Sequence, residues 1–286
     1  MSSTDCEQAL AGDQTPEHPA SPPPPGFGRY FRELCLYRGL LLMWSAREIK
    51  VRYKQSVLGA AWAVLQPLAL MIVFSCVFSY FTRVPTEGVP YPLFSYTALL
   101  PWTFLANSVS FAAPSMINNV NLVCKVYFPR EILPIGTVAA AFADFLVASS
   151  VFSLMLLYYG VRLTAFVFWL PLLVAIQMAL TLGTVFFLSA LSVKYRDIRF
   201  VVPLGLQIWM FASPVIYPAS VVPARLQDIY LLNPMAALIE AYRAVIIHGR
   251  APEWQPVALC AVISAVVLAA GYHYFKRSES SFADLI

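Results

Sequence analysis

Apolar residues in this chain run in long blocks rather than at the spacing of a helix or strand with one buried face. Six blocks stand out, at 57–81, 93–117, 135–160, 166–193, 201–217 and 257–275. A helix needs about 20 residues to cross ~30 Å of hydrocarbon, and all but the fifth block reach that length. The fifth contains Pro203 and Pro214 and is expected to kink. The pattern predicts an all-α integral membrane protein whose domain, 55–286, holds six transmembrane helices.

The polar stretches between blocks have their own structure. In 29–54, Tyr30, Leu34, Tyr37, Leu41 and Trp44 recur at steps of four and three, followed at the same steps by Arg47, Lys50 and Lys54. That spacing predicts an N-terminal amphipathic helix in the membrane interface, with its cations near lipid phosphates. An ordinary helix packed on the bundle would show the same stripe. Residues 1–28 carry Asp5, Glu7, Asp13 and Glu17 and end in four prolines. They lack the basic start and apolar stretch of a signal peptide, so a retained, disordered, proline-rich cytoplasmic tail is expected. The connection 218–256 is too long for a plain turn. Within it, Asn233-Pro234 is a helix start, and Met235, Leu238, Ile239, Tyr242 and Ile246 share one face until Gly249. Such a helix is too short to cross and predicts a re-entrant or interfacial element before the last span. Glu240 and Arg243, three apart, are placed to pair on it.

Composition agrees with a lipid solvent: 59% of the 286 residues are hydrophobic and 12% charged, against about 25% charged in soluble domains. With the amino terminus inside, fourteen of the 19 lysines and arginines fall on cytoplasmic segments and five outside. That asymmetry places both termini in the cytoplasm. The net charge of +4 then belongs to basic cytoplasmic loops, and no nucleic-acid partner is expected. The five cysteines show neither CxxC nor metal spacing, so no metal site or disulfide framework is expected.

Candidate chemistry is sparse. A phosphate-cradling loop needs a Gly-Lys pair, and none of the five lysines follows a glycine. If ATP drives this chain, another subunit binds it. His18, His248 and His273 have no second candidate ligand nearby in sequence, so no catalytic residue is expected. Asp144 is the one acid well inside a span, with no partner in the other spans. An intramembrane carboxylate is a functional candidate by default. Structural hydrogen bonding, or a place at a bundle or dimer interface, accounts for it better than a proton relay.

Several segments together resemble the polysaccharide-export permeases of the ATP-binding-cassette superfamily, which carry O-antigen, teichoic acid and capsule chains. They are 47–59 (REIKVRYKQSVLG) running into Trp62 and Leu65-Gln66-Pro67, then Asn121-Leu122 with 125–134 (KVYFPREILP). They continue with 194–198 (KYRDI), 213–218 (SPVIYP) and Asn233-Pro234-Met235. The likeness runs from about residue 29 to the carboxyl terminus and leaves out the proline-rich tail.

The resemblance implies a multi-pass protein of the bacterial inner membrane that exports a lipid-linked polysaccharide. It implies a homodimer served by two copies of a nucleotide-binding ATPase subunit, which holds ATP and Mg. It places the ATPase-coupling contact at Asn121, Lys125, Tyr127, Phe128, Pro129, Arg130 and Glu131, with Lys194, Arg196 and Asp197 as a second contact. A basic interfacial loop anchored by Tyr127 and Phe128 is the plainer reading of the first. Spans one and five would line the channel, offering Trp62, Phe74, Phe78 and Tyr80, and Trp209, Phe211 and Tyr217, to sugar rings. Packing is the ordinary role of any one such aromatic. Arg47, Lys50, Arg52 and Lys54 would gather at the inner leaflet for the head group of a polyprenyl-pyrophosphate-linked glycan among membrane lipids. An exporter of a drug or lipid on the same scaffold is the nearest rival. A glycan-building enzyme fits less well, because the external loops carry only Glu87, Asp228, Glu240 and Glu253 as acids.

Overall fold

The computed structural model describes residues 36–54, 56–82, 88–125, 128–223, 230, 232–279 and 282, and among these every regular element is helical. The chain begins with α1 (Arg38–Tyr53). A single turn at Gly59–Ala61 leads into α2 (Trp62–Phe74), which continues through the widened turns of Ser75–Thr82. Then come α3 (Tyr91–Ala112), two short pieces α4 (Ser115–Asn118) and α5 (Val120–Lys125), and α6 (Ile132–Tyr158). A turn at Ala165–Trp169 opens α7 (Leu170–Lys194), followed by α8 (Ile198–Phe211), α9 (Pro234–Ile246) and α10 (Trp254–Ser278). Gly39–Ile286 forms one compact unit.

Four helical stretches are long and apolar enough to cross a membrane: Gly59–Phe78, Ile132–Tyr158, Ala165–Lys194 and Trp254–Ser278. They match the first, third, fourth and sixth expected spans. The second expected span is α3, whose 22 residues reach about 33 Å but carry Ser95, Thr97, Thr103, Asn107, Ser108 and Ser110. Its position explains that composition. α3 packs against α2, α6, α7, α8 and α9 and is buried along most of its length, so its surroundings are protein rather than lipid. The hydroxyls of Thr97 and Thr103 return to carbonyls one turn earlier, at 2.7 and 3.1 Å. The helix stops at Ala112, short of the expected 117, because Pro114 cannot continue the hydrogen-bond ladder. The fifth expected span is α8, only 14 residues long, about 21 Å.

The tightest helix pair is α7 against α10. A Cβ on Gly271 would fall 2.1 Å from the Gly183 carbonyl oxygen, and one on Gly183 would fall 2.5 Å from the Leu268 backbone nitrogen. Two glycines thus bring the backbones into contact, the small-residue packing that holds helices together where lipid gives no hydrophobic drive. Gly271→Val is expected to push the helices apart at about 1–3 kcal/mol, as overpacking does. A lowered thermal midpoint in detergent would register it, whereas Gly205→Ala, whose Cβ meets open space, leaves the midpoint unchanged.

Candidate functional site

The first candidate region is α1 and the helix that holds it. On α1, successive residues rotate by about 100°, so Arg47, Lys50 and Lys54 lie within about 60° of one another and Arg52 lies on the opposite half. The structure follows that wheel. Arg47, Lys50 and Lys54 are exposed, while Arg52 turns inward and pairs with Asp144 of α6. The Tyr53 hydroxyl donates to the other carboxylate oxygen. Both ion-pair side chains are about 15% exposed (15% and 14%), and the Arg52 guanidinium also lies 4.4 Å from the Phe111 ring centroid. Burial, then the bond to Asp144, pushes the Tyr53 hydroxyl above the usual tyrosine range, so it stays a donor.

Asp144 thus has the structural hydrogen bonding expected of it, with partners from α1 rather than from another span. One expectation is corrected. Arg52 is not part of an open cationic cluster for a head group, because its charge is already paired. A second contact repeats the register. Gly136 of α6 faces Trp44, and a Cβ there would meet the indole at 2.5 Å. Trp44 to Arg52 and Gly136 to Asp144 are each about 12 Å of helix, so α1 and α6 run in the same direction across two turns. Of the exposed cations, Arg47 stacks over Trp44 at 4.2 Å and pairs with Glu48 at 3.2 Å. Lys50 and Lys54 face outward.

The second region is the loop between α3 and α6. Asn121 is exposed on α5. Val126 and Tyr127 lie outside the described residues, as does the Lys125 side chain. Val123 and Phe128 are 2% and 9% exposed, so at those positions the loop turns its apolar groups into the chain itself. Pro129 and Arg130 are half-buried, and Glu131 is buried. Lys276 near the end of α10 bridges Glu131 at 2.9 Å and Glu279 at 3.0 Å. Arg130 donates to the Glu279 carbonyl, and its guanidinium lies 5.9 Å from the Phe282 ring, which packs on Phe275. This loop is clamped to the carboxyl-terminal end of the last span. The Glu131–Lys276 pair, 145 residues apart in sequence, has no local signal. Lys194, Arg196 and Asp197 are all exposed where α7 turns into α8.

The aromatic candidates divide. Trp62 and Phe211 are exposed, at 52% and 56%. Phe74 and Phe78 pack edge-on to each other, Phe78 stacks on Tyr91, and both lean on the core. The Tyr80 side chain lies outside the described residues. Trp209 and Tyr217 line an open groove of about 740 Å³ together with Tyr230 and Asn233.

Asn233 organises that groove. Its side-chain oxygen accepts from Met235 N at 3.1 Å, capping α9 as the sequence predicts, and from Trp209 Nε1 at 2.9 Å. Its amide nitrogen donates to the Ala212 carbonyl and to Ser213 Oγ at 3.0 and 2.9 Å. These bonds satisfy the end of α8, which stops at Phe211, six residues before the expected 217, because Pro214 cannot continue the ladder. Beneath it, Arg243 is buried, pairs with Glu240 at 2.8 Å as its spacing predicts, and lies 3.6 Å from the Phe94 ring centroid. Arg243 and Tyr91 hold the Val215 and Ile216 carbonyls at 3.4 and 2.8 Å. A central relay, Tyr242 to Gln177 to the Pro101 carbonyl, ties α9, α7 and α3 at 2.8 and 2.7 Å. Only the cap and the Glu240–Arg243 spacing signalled this network in the sequence.

Comparison with known proteins adds to this geometry. The ABC-2 type transporter family profile matches residues 40–247. The chain is 34% identical over 265 residues to the O-antigen export system permease protein RfbA of Myxococcus xanthus, covering 90% of this chain and 99% of that one. It is 27% identical over 248 residues to the O-antigen export system permease protein RfbA of Klebsiella pneumoniae, covering 86% and 95%. With the polysialic acid transport protein KpsM of Escherichia coli it shares 24% identity over 241 residues, covering 82% and 92%.

Breaking a low-exposure ion pair leaves an uncompensated charge at a cost of about 3–5 kcal/mol, whereas replacing both partners by apolar groups is close to neutral. Arg52→Met and Asp144→Leu are each expected to lower the thermal midpoint, with the double variant more stable than either. Simple addition of the two losses would show that the pair does not hold α1 to α6.

Proposed function

The chain belongs to the ABC-2 type transporter family, and from that membership we propose that it is the permease subunit of an ABC exporter of surface polysaccharide. The observation that carries the reading is 34% identity to an O-antigen export permease across 90% of the chain. The same sequence lacks any Gly-Lys pair for a phosphate-binding loop. The chain is a transport component, and hydrolysis of ATP, with its Mg, belongs to a separate ATPase subunit present in two copies.

In the full reading, the chain sits in the bacterial inner membrane with six spans and both termini in the cytoplasm. α3 and α8 complete the six. Two copies pair around a passage bordered by α2 and α8. The exposed apolar stripe of α8 at Phe200, Leu204, Ile208 and Phe211 supports an unsealed face there. Trp209 and Tyr217, held in place through Asn233, Ser213 and the Phe211 carbonyl, present ring faces along the groove, where sugar C–H groups slide with little directional bonding. At the inner leaflet, Arg47, Lys50 and Lys54 share one exposed face of α1. At about 1 kcal/mol per cation near an anionic surface, that face orients the pyrophosphate of a polyprenyl-linked glycan. The loop 121–134 receives the ATPase. Its clamp on Lys276 and Glu279 passes movement to α10, and the Gly183–Gly271 contact passes it on to α7.

A strain lacking this chain is expected to lose its surface glycan and to accumulate lipid-linked glycan in the cytoplasm. Normal surface glycan in that strain overturns the polysaccharide reading. With R47E/K50E/K54E in the assembled complex, stimulation of the ATPase by lipid-linked glycan should fall about tenfold or more. Unchanged stimulation removes the head-group role alone. Lys276→Met, which frees Glu131, is expected to leave ATP hydrolysis running while export drops severalfold, read as glycan moved per ATP consumed.

A further inference from the structure

At the turn between α7 and α8 the chain builds a cavity of about 460 Å³, a size typical of small-ligand pockets. Its origin is the early stop of α3. Pro114 ends that helix, while α7 runs on to Lys194 and α8 begins at Ile198. Ser192 Oγ donates to the Ala113 carbonyl at 2.6 Å and closes the gap from the inside. What remains is a wedge floored by Pro114, Ile117, Val193 and Val202, with Arg196 and Arg199 at its rim.

The two arginines are the informative feature. Both are exposed, both line the cavity, and neither has a carboxylate partner among the described residues. Arg199 is steadied 4.6 Å from the Phe200 ring centroid. Asp197, exposed between them in sequence, forms no ion pair with either among the described residues, and a guanidinium pair matches the oxygens of a phosphate. The apolar floor makes a freely soluble anion a poor match, because such an anion leaves that surface wet. An amphiphile satisfies both halves. Ile117 of that floor is itself 39% exposed, so the apolar lining opens outward and hydrocarbon chains can lie against it.

We propose that this cavity binds the phosphate head of an anionic membrane lipid, with Arg196 and Arg199 on the phosphate and the lipid chains against its apolar lining. The inference rests on reading the end of α7 as the cytoplasmic membrane surface, the level at which lipid phosphates sit. A lipid seated there fills the wedge between the loop that receives the ATPase and the first turn of α8. It is a site separate from the Arg47, Lys50 and Lys54 face of α1.

The test is native mass spectrometry of the detergent-purified complex with its ATPase, titrated with phosphatidylglycerol or with diacylglycerol of the same chains. Retention of phosphatidylglycerol but not diacylglycerol is expected. R196Q/R199Q should weaken that retention about tenfold or more, and R196K/R199K should stay within about threefold of the natural protein. Ile117→Trp, which fills the cavity without touching charge, should also lower retention and keeps the test open if the glutamine pair does not fold. Unchanged retention in R196Q/R199Q or in Ile117→Trp overturns the proposal. Displacement of the lipid by millimolar inorganic phosphate overturns it in favour of a soluble anion site, and loss of the ATPase with lipid retained overturns it in favour of a protein contact. None of these readouts depends on glycan export, so failure here leaves the exporter reading standing.

Discussion

Hydrocarbon gives a polar group no water to bond, so each one must find its partner inside the protein. That constraint places most of the polar residues of this chain. Asp144 is held by Arg52 and Tyr53, and the consequence reaches beyond one carboxylate, because the pair fastens α1 to α6. Gln177 answers both the Pro101 carbonyl and Tyr242. Asn233 satisfies the end of α8 and the start of α9 at once. α3, the helix richest in hydroxyls, is buried along most of its length by its neighbours. Paired polar groups fix which helices touch, and glycines fix how closely.

The same economy shapes how such a protein performs work. The spans are taken up with packing, and no loop has the Gly-Lys pair that cradles a nucleotide. On the proposed reading, energy enters as movement at a cytoplasmic contact with the ATPase. The loop between α3 and α6 suits that task because one end of it is tied into the structure. Glu131 and Arg130 grip the end of α10, and α10 lies backbone to backbone on α7. On the same proposal, a displacement of the loop passes to the last span and, through it, to the helix that leads into α8.

Much of this was legible in the sequence, and the losses have physical reasons. Block length located four apolar spans within a few residues, since lipid exposure is written in composition. α3 read as a span by its position, although its environment is protein. α8 ended early because Pro214 cannot continue the ladder, and Asn233, twenty-one residues on, takes the freed Ala212 carbonyl, a bond of which hydropathy carries no trace. The Asn233-Pro234 start and the Glu240–Arg243 pair were visible because a cap and a one-turn ion pair are local. Arg52 was grouped with its neighbours by charge, whereas its angle on the helix already set it opposite them. The Glu131–Lys276 clamp joins distant segments, and nothing local announces it.

The central claim is that this chain forms the passage and a separate ATPase supplies the energy. Reconstitution in liposomes tests it most directly, by following labelled lipid-linked polysaccharide across the bilayer with and without the ATPase subunit. The account predicts ATP-dependent translocation only when both subunits are present, with none from this chain alone. Sustained uphill translocation by the purified chain without its ATPase would contradict it.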